Sequence, residues 1–392
     1  MKILSVNAGS SSLKFQMYEM PEEKVLISGV FERIGIHESF YTIKINGEAI
    51  RKEKDLPNHK VAFQYLVEEL EENHVVERLD EIKGIGHRVV QGGAYFDKSV
   101  VVTEDVIKKI EELNVLAPLH NPAAITGIKA AQEVIPNAVQ TAVFDTAFHQ
   151  TMPEENYIYA VPYEWYTDYK VRRYGAHGTS HMYVANRMNQ ILGREDTKLI
   201  TCHIGNGASV SAVVNGKCLD TSMGLTPNAG LIMGTRCGDM DATVVTYMMD
   251  QLGVSAQEMD NILNKKSGLL GVSNVSSDMR DIDAGILEGN ERCELVKKMF
   301  VRRVIDYIAK YYVEMGGCDA IVFTAGIGEK SVTTRRRIVD GLKILGINLD
   351  EKANEIRGVE GKITTDDSKI LCYVIPTDEE VMIARDTLAL IP

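Results

Sequence analysis

A chain of 392 residues is longer than one ordinary hydrophobic core organises, so two domains are expected. Hydrophobic residues make up 45% and charged residues 25%, the balance of a globular enzyme. Lys plus Arg is 43 and Asp plus Glu is 55, giving a formal charge of −12. That sign argues against nucleic acid or an anionic membrane as partner, because polyanions are bound by net positive faces.

The first stretch, "MKILSVNAGSSSLKFQMYEM", reads as strand (Lys2 to Val6), Gly/Ser turn, then alternating strand (Leu13 to Tyr18). "VLISGVFERI" and "FYTIKING" extend a meander. His59 to Glu72 is predicted as a helix from the spacing of Ala62, Phe63, Leu66 and Leu70. In "HNPAAITGIKAAQEVI", Asn121 is expected to cap a helix that has Pro122 at its first position. A Tyr-rich connection from Tyr157 to Tyr174 then leads to "TKLITCHIGNGASVSAVVNGKCLDTS". That block repeats the opening layout, with Ser12 and Ser209 at comparable places, and it suggests two copies of one unit. Ser255 to Glu258 form a capping box. "DAIVFTAGIGEKS" reads as a buried strand, a glycine turn and a helix from about Ser331, and "ILCYVIPTDEEVMIARDTLAL" as strand, loop and helix. The alternation is α/β, with the strand-end loops as the expected site.

The apolar runs are too short for a transmembrane helix and no signal-peptide pattern is seen, so a cytoplasmic location is expected. Cys202, Cys218, Cys237, Cys293, Cys318 and Cys372 form no CxxC pair and are expected to be reduced packing residues.

Four loops have the composition of phosphate cradles: "NAGSSSLK", "HIGNGAS", "TAGIGEKS" and "MGTRCGD". Glycine lets backbone N–H groups approach an anion, and hydroxyls and cations add donors. A Gly/Ser/Asn turn is also the ordinary chemistry of a hairpin. None of the four matches GxxxxGK[ST] or GxGxxG. Lys14, Arg88 and Arg236 flank these or similar turns; each reads either as an anion contact or as a solvated charge. His177 and His181, in "YGAHGTSH", have the spacing of a zinc helix but lack HExxH. Ser180 is read as a helix cap, which leaves His177 on the preceding loop and His181 in the first turn. No GxSxG elbow supports a serine hydrolase.

Together these loops resemble the acetate kinase family, within the sugar kinase/Hsp70/actin superfamily. The matching stretches are "VNAGSSSLKF", "GHRVV", "APLHNP", "VFDTAFHQTMP", "YGAHGTSH", "HIGNGAS", "MGTRCGD", "NKKSG", "SSDMRD", "VFTAGIGE" and "IPTDEE", in family order from residue 3 to residue 380. The resemblance implies a duplicated actin-like, ribonuclease H-like βββαβαβα fold with an active-site cleft between the domains. The domains expected are 1–147 plus 378–392, with a returning C-terminal helix, and 148–377. The implied reaction is ATP + acetate ⇌ ADP + acetyl phosphate with Mg²⁺, for which Mn²⁺ is a possible substitute, in a homodimer.

By position, the resemblance assigns Arg88 and Arg236 to the acceptor carboxylate and the phosphoryl group, and His177 to a hydrogen bond on that group. Asn7 and Glu379 fall at the magnesium positions. Ser10, Ser12 and Lys14 match the first phosphate loop, and His203, Ile204, Gly205, Asn206 and Gly207 the second. Asp278, Met279, Arg280, Gly326, Ile327, Gly328, Glu329 and Lys330 match the nucleotide loops. Asp145 is read as orienting an arginine or a metal-bound water, with a plain turn residue as the alternative. Val90, Leu119, Ala176 and Pro227 match the pocket for the acid's methyl group.

The chain departs from the family pattern in three places. Ala176 stands where Phe is usual, Gln91 where His is usual, and "GLTPNAG" (224–230) where "GFTPLEG" is usual. Losing a ring from an apolar wall is expected to admit an acid longer than acetate, such as propionate or butyrate, since one methylene is worth roughly 1–3 kcal/mol of discrimination. The alternatives are that Leu225 or Met233 refills the space, or that the alanine is engineered. A non-catalytic sensor of nucleotide or acid is the remaining class.

Overall fold

The computed structural model describes every residue except Leu119. The chain divides into two compact units, Met1–Gln150 with Asp378–Pro392, and Thr151–Thr377.

The first unit is built on eight strands: β1 (Lys2–Gly9), β2 (Ser12–Glu19), β3 (Lys24–Glu32), β4 (Phe40–Ile45), β5 (Glu48–Glu53), β6 (Ile82–Val89), β7 (Val100–Val101) and β8 (Val139–Phe144). Their order in the sheet is β5-β4-β3-β2-β1-β6-β8-β7. The β1 to β5 ribbon is antiparallel, whereas β6 runs parallel to β1, and β8 parallel to β6. Ile3 to Val6 are all buried, as expected of a central strand covered on both faces. The edge strand β5 is charged and exposed, which discourages pairing with another chain.

Helix His59–Glu72 has the predicted bounds, opened by the Asn58 side chain accepting from the Val61 N–H at 3.0 Å. Helix Asn121–Val134 comes so close to β1 that a Cβ at Gly127 would lie 2.7 Å from the Ala8 methyl. On the opposite face lies helix Glu379–Leu390, where the Ser5 hydroxyl donates to the Glu380 carbonyl at 2.6 Å. A Cβ at Gly86 would meet the Thr387 hydroxyl at 2.3 Å, so glycine on β6 sets how closely that helix approaches.

The second unit holds β9 (Lys198–Ile204), β10 (Ala208–Val214), β11 (Lys217–Thr221), β12 (Ala320–Thr324), β13 (Gly361–Lys362) and β14 (Leu371–Val374), in the order β11-β10-β9-β12-β14-β13. Again an antiparallel hairpin pair leads into two parallel strands, and an antiparallel strand closes the edge. Helices Gly178–Leu192 and Glu291–Glu314 pack on this sheet. The two units therefore share a strand plan, which β4 and β5 extend in the first.

Three local expectations are corrected. Asn121 is not a cap but the first helical residue; His120 precedes it, and the Asn121 side chain instead exchanges hydrogen bonds with the Gln91 backbone at 2.9 and 3.1 Å. "AGIGEK" is a helix of its own, Ala325–Lys330, rather than a glycine turn, and Ser331 caps the next helix. Ser12 and Ser209 are one residue out of step: Ser12 pairs with Gly9 at the hairpin's closing end, while Ala208, not Ser209, closes the second. A one-residue offset reverses the face a side chain takes. All six cysteines are free thiols. Among the described residues, no helix is long and apolar enough to cross a membrane.

Candidate active site

In the first unit the relevant groups gather where the parallel strands end, the usual position of ligands in α/β sheets. Arg88 lies on β6 and Asp145 directly after β8, and the Asp145 N–H donates to the Val89 carbonyl at 3.0 Å. The Arg88 guanidinium forks onto the Asp145 carboxylate, Nε to Oδ1 at 2.9 Å and Nη2 to Oδ2 at 2.7 Å. Asp145 is 1% exposed and Arg88 23%, so the pair is anchored at the acid and open at the base. Asp145 first, then Glu379 and Glu380, push the Arg88 pKa further up, so its charge is permanent.

Glu379 opens helix Glu379–Leu390, whose cap is the Asp378 side chain. Burial raises the Glu379 pKa against the opposing pull of Arg88, and its Oε1 is buried without a hydrogen-bond partner among the described residues. Asn7 sits opposite Lys14 in the β1–β2 register, and Lys14 is ion-paired with Glu380. Ser10 is exposed in the hairpin turn and Ser12 is half-buried beside it. Half-buried Val90 and buried Gln91 form the turn after β6, where Gln91 Oε1 accepts from the Gly93 N–H at 2.9 Å. Gln91 thus braces its own turn. Leu119 lies outside the described residues.

In the second unit His177 itself is the N-cap of helix Gly178–Leu192, with φ +58°, a left-handed conformation for a non-glycine residue. Ser180 is therefore inside the helix and not its cap. Its hydroxyl meets His203 Nδ1 at 2.8 Å. His177 Nδ1 meets the Ser209 hydroxyl at 2.8 Å, and His181 Nε2 meets the same hydroxyl at 2.7 Å. The His177 and His203 rings stack with centroids 4.0 Å apart.

A Cβ on Gly207 would lie 3.5 Å from both His177 Nε2 and Arg236 Nη1, so the glycine keeps open the point on which both converge. Arg236 is largely buried, which depresses its pKa, and among the described residues no carboxylate pairs with it. Its Nη1 donates to the Pro227 carbonyl at 3.3 Å and approaches Met233 Sδ at 3.7 Å. A half-buried guanidinium with no carboxylate partner among the described residues favours an anionic ligand. The "HIGNGAS" and "MGTRCGD" loops are stitched together: the Gly234 N–H donates to the Asn206 carbonyl at 2.9 Å, and any Cβ at Gly234 would collide with the Asn206 side chain.

Ala176 is 3% exposed and belongs to the same buried cluster as Met223, Leu231 and Met233, whereas Leu225 is half-buried.

A cavity of about 810 Å³ opens beside these loops, lined in part by Gly205, Asn206, Asp278, Met279, Arg280, Gly326, Ile327 and Lys330. Asp278 caps helix Met279–Leu287 and pairs with Arg280, which lowers its pKa to about 2. His203, Ile204, Gly207, Gly328 and Glu329 do not line the cavity. Glu329 turns back instead, Oε1 accepting from the N–H groups of Ala325 (2.8 Å) and Thr377 (3.2 Å). It braces the start of helix Ala325–Lys330, where Ala325 adopts φ +63°. The sequence reading missed Ser277, Asp283, Ser331, Val332, Thr333 and Arg357 on the cavity wall. Asp283 was legible, being four residues after Met279 and so on the same helical face. Arg357 carries no local signal; tertiary folding brings its Nη1 to the Lys330 carbonyl at 2.8 Å.

An arginine–carboxylate pair at the parallel-strand ends of the first unit, and glycine loops beside a nucleotide-sized cavity in the second, are the features of an α/β phosphotransferase. The Acetokinase family model matches residues 2–385, and the chain belongs to that family. It is 54% identical to the acetate kinase of Bacillus velezensis over 391 residues, 99% of each chain. The crystal structure of Porphyromonas gingivalis acetate kinase matches with a TM-score of 0.96 at 46% identity, covering 100% of both chains. A propionate kinase from Francisella tularensis matches with a TM-score of 0.94 at 42% identity, again over 100% of both. The fold is thus the duplicated actin-like one, and the protein is a kinase whose acceptor is a carboxylate. The family implies ATP or ADP as substrate and a divalent metal.

Proposed function

We propose that this chain transfers the γ-phosphoryl group of ATP directly and reversibly to acetate, giving acetyl phosphate and ADP, with Mg²⁺. The observation that carries the reading is Arg236, a half-buried cation without a carboxylate partner among the described residues, converging with His177 Nε2 on the space above Gly207. An acceptor carboxylate is already ionised at neutral pH, since such groups titrate at roughly 4. Catalysis therefore asks for alignment and for positive charge against two anions rather than for a strong base. Arg88 and Arg236 bind the carboxylate and the phosphoryl group, and His177 donates to an equatorial oxygen as charge builds. Asp145 positions the Arg88 fork. The cavity takes the nucleoside, with Asp278, Met279 and Arg280 on one side and Gly326, Ile327 and Lys330 on the other. His203, Ile204, Asn206, Ser10, Ser12 and Lys14 shape the phosphate loops, and Gly328 and Glu329 hold theirs in place.

Glu379 and Asn7 fit a hard cation. Glu379 offers a buried oxygen with no other partner, and among the described residues no set of three His, Cys, Asp or Glu groups forms a complete metal cage. Mg²⁺ is typically held by one or two carboxylates together with phosphates and waters. When bound, it neutralises phosphate charge.

Acetate is favoured as the acid because Ala176 is buried, a member of the same apolar cluster as Met233, so a neighbouring side chain is available to refill the space a phenylalanine would take. A longer acid is the second reading, motivated by the alanine itself. We further infer a cytoplasmic homodimer. The apolar helix Thr243–Leu252 buries none of its residues within the chain, and Tyr247 is 59% exposed. Hydroxylamine trapping of acyl phosphate, with ATP, Mg²⁺ and acetate, propionate or butyrate in turn, tests the reading. Product with acetate at the highest kcat/KM is expected. No product with any of the acids, despite ATP binding, would overturn it in favour of a sensor.

A further inference from the structure

Resting on that reading, one buried feature bears on how His177 is prepared for its role. From Thr201 on β9 to His177, a chain of side chains is joined end to end. Thr201 Oγ1 meets His181 Nδ1 at 2.7 Å, His181 Nε2 meets Ser209 Oγ at 2.7 Å, and Ser209 Oγ meets His177 Nδ1 at 2.8 Å. Thr201, His181 and Ser209 are each 0% exposed.

Counting hydrogens gives the chain a direction. The Thr201 hydroxyl has one hydrogen and, among the described residues, no side-chain or carbonyl partner other than His181 Nδ1. If Thr201 accepted there, its own hydrogen would be buried without an acceptor, at a cost of roughly 1–3 kcal/mol. Thr201 therefore donates, and His181 carries its hydrogen on Nε2. That N–H donates to Ser209, whose only two side-chain partners among the described residues are the two histidines. The Ser209 hydrogen must then go to His177 Nδ1. A neutral His177 is left with its hydrogen on Nε2, the atom that lies with Arg236 Nη1 around the space above Gly207.

We propose that Thr201, His181 and Ser209 are positioning residues, a one-directional hydrogen-bond chain that holds His177 as the neutral Nε2–H tautomer, ready to donate to the phosphoryl group. The reverse direction would put the hydrogen on Nδ1 and turn a lone pair on Nε2 toward the phosphoryl oxygen. Donation would then require an imidazolium, a second cation beside Arg236 and stacked 4.0 Å from His203. The neutral tautomer supplies the hydrogen bond without that repulsion.

The test reads tautomers apart from turnover. Protein labelled with ¹⁵N-histidine, without ligands at neutral pH, is examined by long-range ¹H–¹⁵N correlation, with His177 assigned from His177→Gln. His177 and His181 are both expected as neutral Nε2–H forms. An Nδ1–H or doubly protonated His177 in the native protein overturns the proposal, whatever the activity. Thr201→Val removes the hydrogen that heads the chain yet touches neither His177 nor Ser209 by a side-chain hydrogen bond. It is expected to give a mixture of His177 tautomers and a roughly three- to ten-fold fall in kcat, with KM for ATP and acetate unchanged. Ser209→Ala, which breaks the chain at its last link, is expected to lower kcat roughly a hundred-fold. Native kcat and native spectra in the folded Thr201→Val protein overturn the proposal even if Ser209→Ala does not fold. Failure of the native protein to form acyl phosphate would instead overturn the assigned reaction and leave the tautomer measurement standing.

Discussion

Arg88 and Asp145 are 57 positions apart in sequence and share two hydrogen bonds, so the orientation of the guanidinium is set by a buried acid rather than by solvent. Asp145→Asn keeps the shape but replaces one acceptor oxygen by a donor. It is expected to lower kcat/KM for the acid about a hundred-fold, as a misplacement of about an ångström does, with circular dichroism unchanged. Ala176 is 3% exposed within a buried apolar cluster. Ala176→Phe is expected to destabilise by about 1–3 kcal/mol through overpacking, and to leave the ranking of acetate, propionate and butyrate unchanged. Urea unfolding and the three kcat/KM values check both parts; a gain in acetate selectivity would support the larger-pocket reading instead. Glu379→Gln removes a buried carboxylate whose charged form burial disfavours. It is expected to raise the Mg²⁺ concentration for half-maximal velocity about ten-fold, and to raise the melting temperature slightly, since nothing then has to be held ionised against desolvation.

At the scale of elements, β6 carries Arg88 next to a buried histidine. His87 is 2% exposed, its Nε2 lies 2.7 Å from Gln140 Oε1, and burial lowers its pKa to about 4. The folded state thus binds that proton less readily than the unfolded chain, which titrates near 6.5. Between about pH 4 and 6.5 the unfolded state holds more protons, so stability falls as pH drops through that window and is complete above it. The loss amounts to about 3 kcal/mol at most. His87→Gln, which cannot charge, is expected to flatten the urea midpoint across that range. Elements also show where local reading succeeds. Helix His59–Glu72 was legible because its apolar spacing and its burial coincide, and the Ser255 capping box because both partners lie within four residues. Asn121 and Ser180 look like caps by type, yet each spends its side chain on a partner far along the chain, Gln91 and His203. No local rule contains those partners. The helix Ala325–Lys330 was equally hidden, since two glycines argue for a turn and only the backbone bonds to Glu329 and the packing of Gly328 under β9 override them.

Across the molecule, one strand plan occurs twice; in the first copy Arg88 and Asp145 lie at the ends of parallel strands, whereas in the second His177 caps the helix before β9 and Arg236 lies in the loop after the edge strand β11. The exposed apolar helix Thr243–Leu252 is the surface feature that this plan leaves uncovered. Light scattering on the eluting protein is expected to give twice the chain mass, and Tyr247→Glu to give a monomer at micromolar concentration; a native monomer would remove the dimer reading. The sequence by itself determined the α/β alternation, the repeat, the family and the loops, because strand periodicity, glycine turns and motif order are local properties of the chain. The tertiary structure alone decided which partners complete them: the acid behind Arg88, the core around Ala176, Asp283 and Arg357 on the cavity wall, and the line from Thr201 to His177. Those contacts join residues tens of positions apart. Hydrogen-bond direction depends on where every donor finds its acceptor, and only packing settles that.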